Sequence, residues 1–270
     1  MGFISALHNA WASNNSMLCV GLDPDVDKLP DGIPPDNGGI EIFCREIIAA
    51  TADLVCAFKP QIAHFAARGA EQQLENICKI IREQHPNAVL ILDAKRGDIG
   101  STAEYYAKEA FDRYGAHAVT VNPYMGTDSI EPFLRHKSGA AIVLCRTSNP
   151  GGSELQNRTV DGEEVYRMIA RTAATQWSKL GDVGLVVGAT YPGELANVRE
   201  IAPTLPLLVP GIGAQGGDIE ASVRAGRDNN NRGLIINSSR AIIYAGSGKD
   251  FATAARDAAV ATRDAINAVK

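Results

Sequence analysis

The sequence predicts an α/β protein built as one (β/α)8 barrel, a single catalytic domain over residues 1–270. Three observations predict it. Eight short, continuously apolar runs alternate along the chain with segments whose apolar residues recur at helical spacing. Continuous apolarity marks parallel strands covered on both faces. The 270 residues carry no composition break, low-complexity tract or repeat beyond that alternation, which suits one barrel of roughly 250 residues. A doubly wound open sheet is the competing arrangement.

Residues 3–13 read as a short amphipathic helix. Residues 18–23 (LCVGLD) form the first strand, and 24–39, rich in Pro, Asp and Gly, form a loop. Ile40, Phe43, Ile47 and Ile48 place a helix over 40–51. The second strand, 54–58, runs into Lys59 and is stopped by Pro60. Leu74, Ile77, Ile80 and Ile81 share one face of a helix over 71–84. The third strand passes from five apolar residues, 88–92, straight into Asp93-Ala94-Lys95. A helix follows from about residue 101, with Ser101 or Thr102 as its cap.

The fourth strand, 117–121, leads to Asn122, and a short helix covers 130–135. The fifth strand, 140–145, ends in Arg146-Thr147-Ser148; residues 149–162 read as a long mobile loop. A helix over 163–180 precedes the sixth strand, 183–187, and a helix over 194–202 is closed by Pro203. The seventh strand, 207–210, runs into a glycine-rich segment, 211–217, then a helix over 218–225. The eighth strand, 233–237, ends in Ser238-Ser239-Arg240, and an alanine-rich helix over 250–269 follows.

The composition, 45% hydrophobic and 21% charged, is that of a soluble globular chain. A formal net charge of −5 with no Lys/Arg block offers no footprint for nucleic acid. No apolar run approaches the roughly 18 residues of a membrane span. The stretch MGFISALHNAW lacks the basic and long apolar regions of a secretory signal, and Ala6 stands where myristoylation wants Ser or Thr. Five cysteines, odd in number and without C-x-x-C spacing, predict a reducing, cytoplasmic compartment. The five histidines show no ligand spacing, so no metal site is expected, although carboxylates alone can hold Mg²⁺.

Barrel active sites lie at the C-terminal ends of the strands. Those ends carry Asp23, Lys59, Asp93 with Lys95, Asn122, Ser148, the 211–217 segment and Arg240. Asp93 and Lys95 are two apart, so a regular strand projects both to one side. Alone, the pair is equally well a structural ion pair. GIGAQG matches G-x-G-x-x-G but follows the seventh strand, and no acid ends the next one. After strands seven and eight of a barrel it predicts a phosphate site instead, with Arg240 as a bidentate cation. Lys59, Asp93, Lys95 and Asp98 sum to zero charge and can share one pocket. A Lys between two acids stays protonated, which suits a proton donor better than a Schiff-base nucleophile.

The segments GLDPD (21–25), FKPQIA (58–63), DAKRGDIGST (93–102), VNPYMG (121–126), TSNPG (147–151), PGIGAQGGD (210–218) and SSRAI (238–242) resemble the orotidine 5′-phosphate decarboxylase family, in its longer bacterial branch. The resemblance implies cofactor-free conversion of orotidine 5′-monophosphate to uridine 5′-monophosphate in pyrimidine synthesis. It implies that Asp23 and Lys59 hold ribose hydroxyls, that Lys59 also orders Asp93, that Asp93 faces the substrate carboxylate, and that Lys95 gives a proton to C6. Asp98, with Ile99 and Thr102, would reach into the site of a second subunit, so a homodimer with shared sites is implied. Ser148 would bind the pyrimidine amide edge; Gln215, Ser239 and Arg240 would hold phosphate on the loop of Gly211, Gly213 and Gly216. Asn122 joins the expected substrate-binding set. Shorter-branch relatives carry an apolar residue after the motif lysine, where this chain has Arg96. The alternatives are a Mg²⁺-dependent sugar-phosphate decarboxylase or aldolase of similar barrel type, which places an acid where Lys59 stands, and a non-catalytic nucleotide-binding barrel.

Overall fold

Eight parallel strands close on themselves: β1 (Leu18–Leu22), β2 (Ala57–Pro60), β3 (Val89–Arg96), β4 (Ala118–Val121), β5 (Ala140–Arg146), β6 (Asp182–Val187), β7 (Leu207–Pro210) and β8 (Leu234–Ser238). The computed structural model describes residues 2–137, 139–212 and 217–269. Each strand pairs with its neighbours in sequence, and β1 pairs with β8 through Leu18–Ile236, Cys19–Asn237 and Val20–Ser238. That last pairing closes the barrel and excludes the open sheet.

The strands are buried almost throughout, as their unbroken apolar runs require. Helices between them turn one apolar stripe inward; in Glu71–Gln84 it is Leu74, Ile77, Cys78 and Ile81. Asp36 caps Asn37–Thr51 by accepting from Gly39 N at 2.8 Å, and Asp218 caps Ile219–Gly226 by accepting from Ala221 N at 2.9 Å. The helix Phe3–Ser13 covers the N-terminal end of the barrel: Trp11 Nε1 donates to Leu234 O at 3.0 Å, and Asp182 accepts from Ile4 N at 3.0 Å. The opposite end is left for the site. All five cysteines are free and buried. No helix among the described residues is long and apolar enough to cross a membrane.

Four local expectations are corrected. The second strand lies three residues later than its apolar run, because Ala57–Pro60 is the stretch in register with Cys19–Leu22, while Ala52–Leu54 form a 3-10 turn. Pro60 therefore ends the strand from inside it. The helix after β3 is Gly100–Lys108, entered from Ile99, and neither Ser101 nor Thr102 caps it. Its next turn, Glu109–Arg113, widens to π geometry. Residues 149–162 are a built segment: a 3-10 turn (Pro150–Gly152), a short helix (Ser153–Gln156) and the first strand of a two-residue hairpin pairing Thr159–Val160 with Glu163–Glu164. Finally, β3 is not a regular strand where Asp93 and Lys95 sit, and the active site follows from that.

Candidate active site

β3 pairs with β4 in register at Leu92–Val119 and again at Arg96–Val121. Between these pairs β3 places Asp93, Ala94 and Lys95 opposite Thr120 alone. The surplus bulges, and Lys95 takes the left-handed backbone conformation, φ +47°. The two side chains meet because of the bulge rather than by simple strand alternation. Asp93 Oδ1 accepts from Lys95 Nζ at 2.7 Å and from Thr120 Oγ1 at 2.8 Å, and Asp93 Oδ2 accepts from Lys59 Nζ at 2.7 Å.

Burial separates the two lysines. The Lys59 side chain is 5% exposed and that of Lys95 48%. Burial alone would drive the Asp93 carboxyl pKa up and the Lys59 ammonium pKa down; their mutual attraction, with Lys95 acting on Asp93 and Asp23 on Lys59, reverses both. Asp93 is held well below the usual carboxylate range and Lys59 above the usual lysine range. Asp93 is thus an ionised bridge between one sealed ammonium and one that faces solvent.

Asp93, Lys95 and Lys59 stand at the floor of a cavity of about 610 Å³ that Asp23, Ser148, Gly211, Ser239 and Arg240 also line. That volume is in the range of small-molecule sites. Asp23 Oδ1 is buried without a hydrogen-bond partner, an acceptor open to a ligand hydroxyl. Arg240 opens the short helix after β8, is exposed, and its side chain makes no hydrogen bond or ion pair among the described residues. An uncommitted guanidinium at a cavity rim suits an anion. Ser239 is fixed by Asn237 Nδ2 at 3.3 Å and packs on Gly21, where a Cβ would stand 1.8 Å from Ser239 Oγ. Gly211, at φ +101°, starts the glycine loop, whose stem is tied by Gly217 N to Gly211 O at 3.1 Å. Gly213, Gln215 and Gly216 lie outside the described residues.

The cavity's other wall is the segment after β5. Buried Arg146 organises it, donating to Thr147 O at 2.9 Å, Ser153 Oγ at 2.9 Å and Gln156 Oε1 at 3.3 Å. It also pairs with Glu194 and lies 4.0 Å over the Tyr191 ring. The segment holding Ser148 is thereby fastened to the start of the helix Pro192–Ile201.

Four predicted residues are not brought into this cavity. Asp98 turns away, its carboxylate accepting from Ile99 N at 2.8 Å. Ile99 is 55% exposed, Thr102 is exposed, and exposed Asn122 caps the turn at Pro123–Met125. Lys59, Asp93 and Lys95 therefore share a pocket with net charge +1, and Asp98 does not join them within one chain. Arg96, unassigned from sequence, makes a bidentate pair with Glu109 at 3.0 and 3.1 Å and lies 4.6 Å over Tyr106. Sequence reasoning missed Thr120, Gln61, Asn237 and Arg146. For Thr120 a signal existed: it is the polar residue inside the otherwise apolar run AVTV.

The arrangement has clear relatives. Residues 16–256 match the model of the orotidine 5′-phosphate decarboxylase / HUMPS family. The chain is 61% identical over 252 residues to the orotidine 5′-phosphate decarboxylase of Dechloromonas aromatica, covering 93% of each. It is 59% identical to that of an Azoarcus species over 270 residues, the whole of both chains. Among solved structures, Leishmania donovani OMP decarboxylase superposes with a TM-score of 0.87 at 38% identity, covering 100% of this chain and 98% of the other. On its barrel, its strand-end residues and these matches, the chain belongs to the orotidine 5′-phosphate decarboxylase / HUMPS family.

Proposed function

We propose that the chain decarboxylates orotidine 5′-monophosphate to uridine 5′-monophosphate, a step of pyrimidine synthesis, without a cofactor, as one catalytic domain over residues 1–270. The observation that carries the mechanism is the Lys59–Asp93–Lys95 array, two ammoniums on one carboxylate at 2.7 Å each. The C6–carboxylate bond breaks, CO₂ leaves, the electron pair stays on C6, and a proton passes from Lys95 Nζ to C6. The half-exposed position of Lys95 lets water restore the proton. An ammonium already in place stabilises the developing charge without reorganisation.

One close charge pair supplies about 4 kcal/mol at an effective dielectric near 20. Very slow reactions need on the order of 20 kcal/mol. The remainder must come from binding at a distance: the phosphate on Arg240, Ser239, Gln215 and the Gly211–Gly213–Gly216 loop, and closure of the Arg146-organised segment over the base. Asp23, with its open acceptor, and Lys59 hold ribose hydroxyls; Ser148 binds the pyrimidine edge, and Asn122 belongs to the binding set.

Asp98, Ile99 and Thr102 serve the site of a second copy in a homodimer. Support for this is that Ile99 and Thr102 are exposed and that none of the three lines its own cavity. We place the enzyme in the cytoplasm, acting on a small molecule and on neither nucleic acid nor membrane. The sugar-phosphate alternative is disfavoured by Lys59, an ammonium holding Asp93 Oδ2 at 2.7 Å where that alternative would place an acid. Turnover of orotidine 5′-monophosphate, followed by loss of absorbance in the presence of EDTA, tests the reading. Full activity is expected; activity abolished by EDTA and restored by Mg²⁺ would replace it with the metal-dependent one.

A further inference from the structure

Among the described residues Thr120 makes no hydrogen bond to either lysine ammonium, yet its hydroxyl is the hinge pin of the site. A hydroxyl has one hydrogen to give and two lone pairs to receive. Here both lone pairs are engaged, by Ala94 N at 3.0 Å and Lys95 N at 2.9 Å. The hydrogen is then directed to Asp93 Oδ1 at 2.8 Å. The oxygen is saturated, and its single donor direction is fixed by the backbone that it holds.

That backbone needs holding. Residues 93–95 are the bulge, where the register between β3 and β4 is lost, and Lys95 sits at φ +47° without being glycine. Left-handed backbone at such a residue persists only where the surroundings enforce it. Two consecutive N–H groups received by one buried oxygen are such an enforcement. The same oxygen reaches the carboxylate that Lys95 grips, so backbone, carboxylate and ammonium form one closed loop: Lys95 N to Thr120 Oγ1, Thr120 Oγ1 to Asp93 Oδ1, Asp93 Oδ1 to Lys95 Nζ.

We propose that Thr120 is a positioning residue for the decarboxylation, setting both the backbone of Lys95 and the rotation of the Asp93 carboxylate. This rests on the assignment of Lys95 as the proton donor. When its proton passes to C6, Lys95 becomes a neutral amine and its pull on Asp93 Oδ1 drops. The Thr120 hydrogen bond does not change in that step. It keeps the carboxylate from swinging toward Lys59 and keeps the amine where water can recharge it. Sub-ångström control of this kind acts on the rate of the step rather than on affinity for the nucleotide.

Three substitutions separate the hydroxyl from the methyl: Thr120→Val keeps the shape and loses the hydroxyl, Thr120→Ser does the reverse, and Thr120→Ala loses both. For Thr120→Val, kcat should fall about 100-fold. Its Kd for uridine 5′-monophosphate, by titration, should move less than about threefold, as for a group acting only in the transition state. Thr120→Ser should restore kcat to within about fivefold of the parent, since all three hydrogen bonds survive. A Thr120→Val enzyme within about threefold of the parent, a Ser variant as slow as Val, or nucleotide binding lost in step with kcat would each overturn the proposal. If Thr120→Val does not fold, the Ser and Ala variants decide. Ser faster than Ala by about tenfold or more supports it, and equal rates overturn it. The parent controls for the underlying assignment: a parent that does not turn over the substrate overturns the function itself, whereas an active parent with a fully active Val variant overturns only the role of Thr120.

Discussion

Replacing Lys95 by alanine removes the ammonium that both grips Asp93 and faces the cavity. Decarboxylation should become undetectable, while uridine 5′-monophosphate still binds within about tenfold of the parent, because a donor used only in the transition state adds little to product affinity. Measurable turnover by Lys95→Ala would remove that lysine from its role. At this scale the sequence was legible where an apolar run gave way to polar or charged residues that face the cavity: Asp23, Lys59, Asp93, Lys95, Ser148 and Arg240 reach or line it. The reason expected for the Asp93–Lys95 pairing, two residues on one side of a regular strand, is replaced by the bulge. The roles of Thr120, a polar residue in an apolar run, and of Arg146, a charge at a strand end, were not legible, because they depend on partners that a single strand does not reveal: β3 across the ladder for one, Glu194 and Tyr191 for the other.

Between elements, β1 packs closely against the turn after β8, which carries the proposed phosphate ligands Ser239 and Arg240. Gly21 leaves room for Ser239, and a Cβ there would stand 1.8 Å from Ser239 Oγ and 3.2 Å from Asn237 Oδ1. Gly21→Ala should therefore displace Ser239, costing about 1–3 kcal/mol as overpacking does. The substrate KM should rise about tenfold, which 1.4 kcal/mol of lost binding produces. An unchanged KM in a folded Gly21→Ala enzyme would free Ser239 from phosphate binding. Element type was readable from periodicity, and the strand pairs β6–β7 and β7–β8 fall close to their apolar runs. Edges failed where pairing overrode composition, as at β2, whose apolar residues Leu54 and Val55 are spent below the barrel before the registered stretch begins. The segment after β5 was misread because its polar composition hides a hub: one buried guanidinium gathers residues that look like loop in isolation.

For the whole molecule, two acid windows should weaken folding. His117 accepts from Leu90 N at 2.9 Å and stands beside Arg82; burial first, then that guanidinium, pulls its pKa from 6.5 down to about 3. The unfolded chain takes up this proton and the folded chain refuses it, so stability falls as pH drops from 6.5, by at most about 1.4 kcal/mol per pH unit. Asp93 adds a second loss below about pH 4, because its folded pKa lies below its ordinary 3.8. Lys59, raised above its ordinary 10.5, contributes stability that is full below that pH and fades above it. Urea midpoints that stay constant from pH 7 to 4.5 would contradict the His117 assignment. At the scale of assembly, the proposed sharing of Asp98 between two copies is tested by mixing: Lys95→Ala and Asp98→Ala chains, each inactive alone, should regain activity in verified heterodimers through one intact site. No recovery would place Asp98 outside a shared site.

The five sealed cysteines give this barrel a built-in clock. Burial pushes the thiol of Cys19 up to about 12 and raises the other four as well, so none offers a thiolate to an alkylating reagent while the chain is folded. Four sit on different elements, from β1 (Cys19) through the helices Asn37–Thr51 (Cys44) and Glu71–Gln84 (Cys78) to β5 (Cys145), and Cys56 stands just before β2. A pulse of reagent should mark each molecule either fully or not at all if the barrel opens as one unit, and mass spectrometry reads the distribution directly. Species alkylated at Cys44 and Cys78 but not at Cys19 and Cys145 would instead show the helical ring loosening before the strands part.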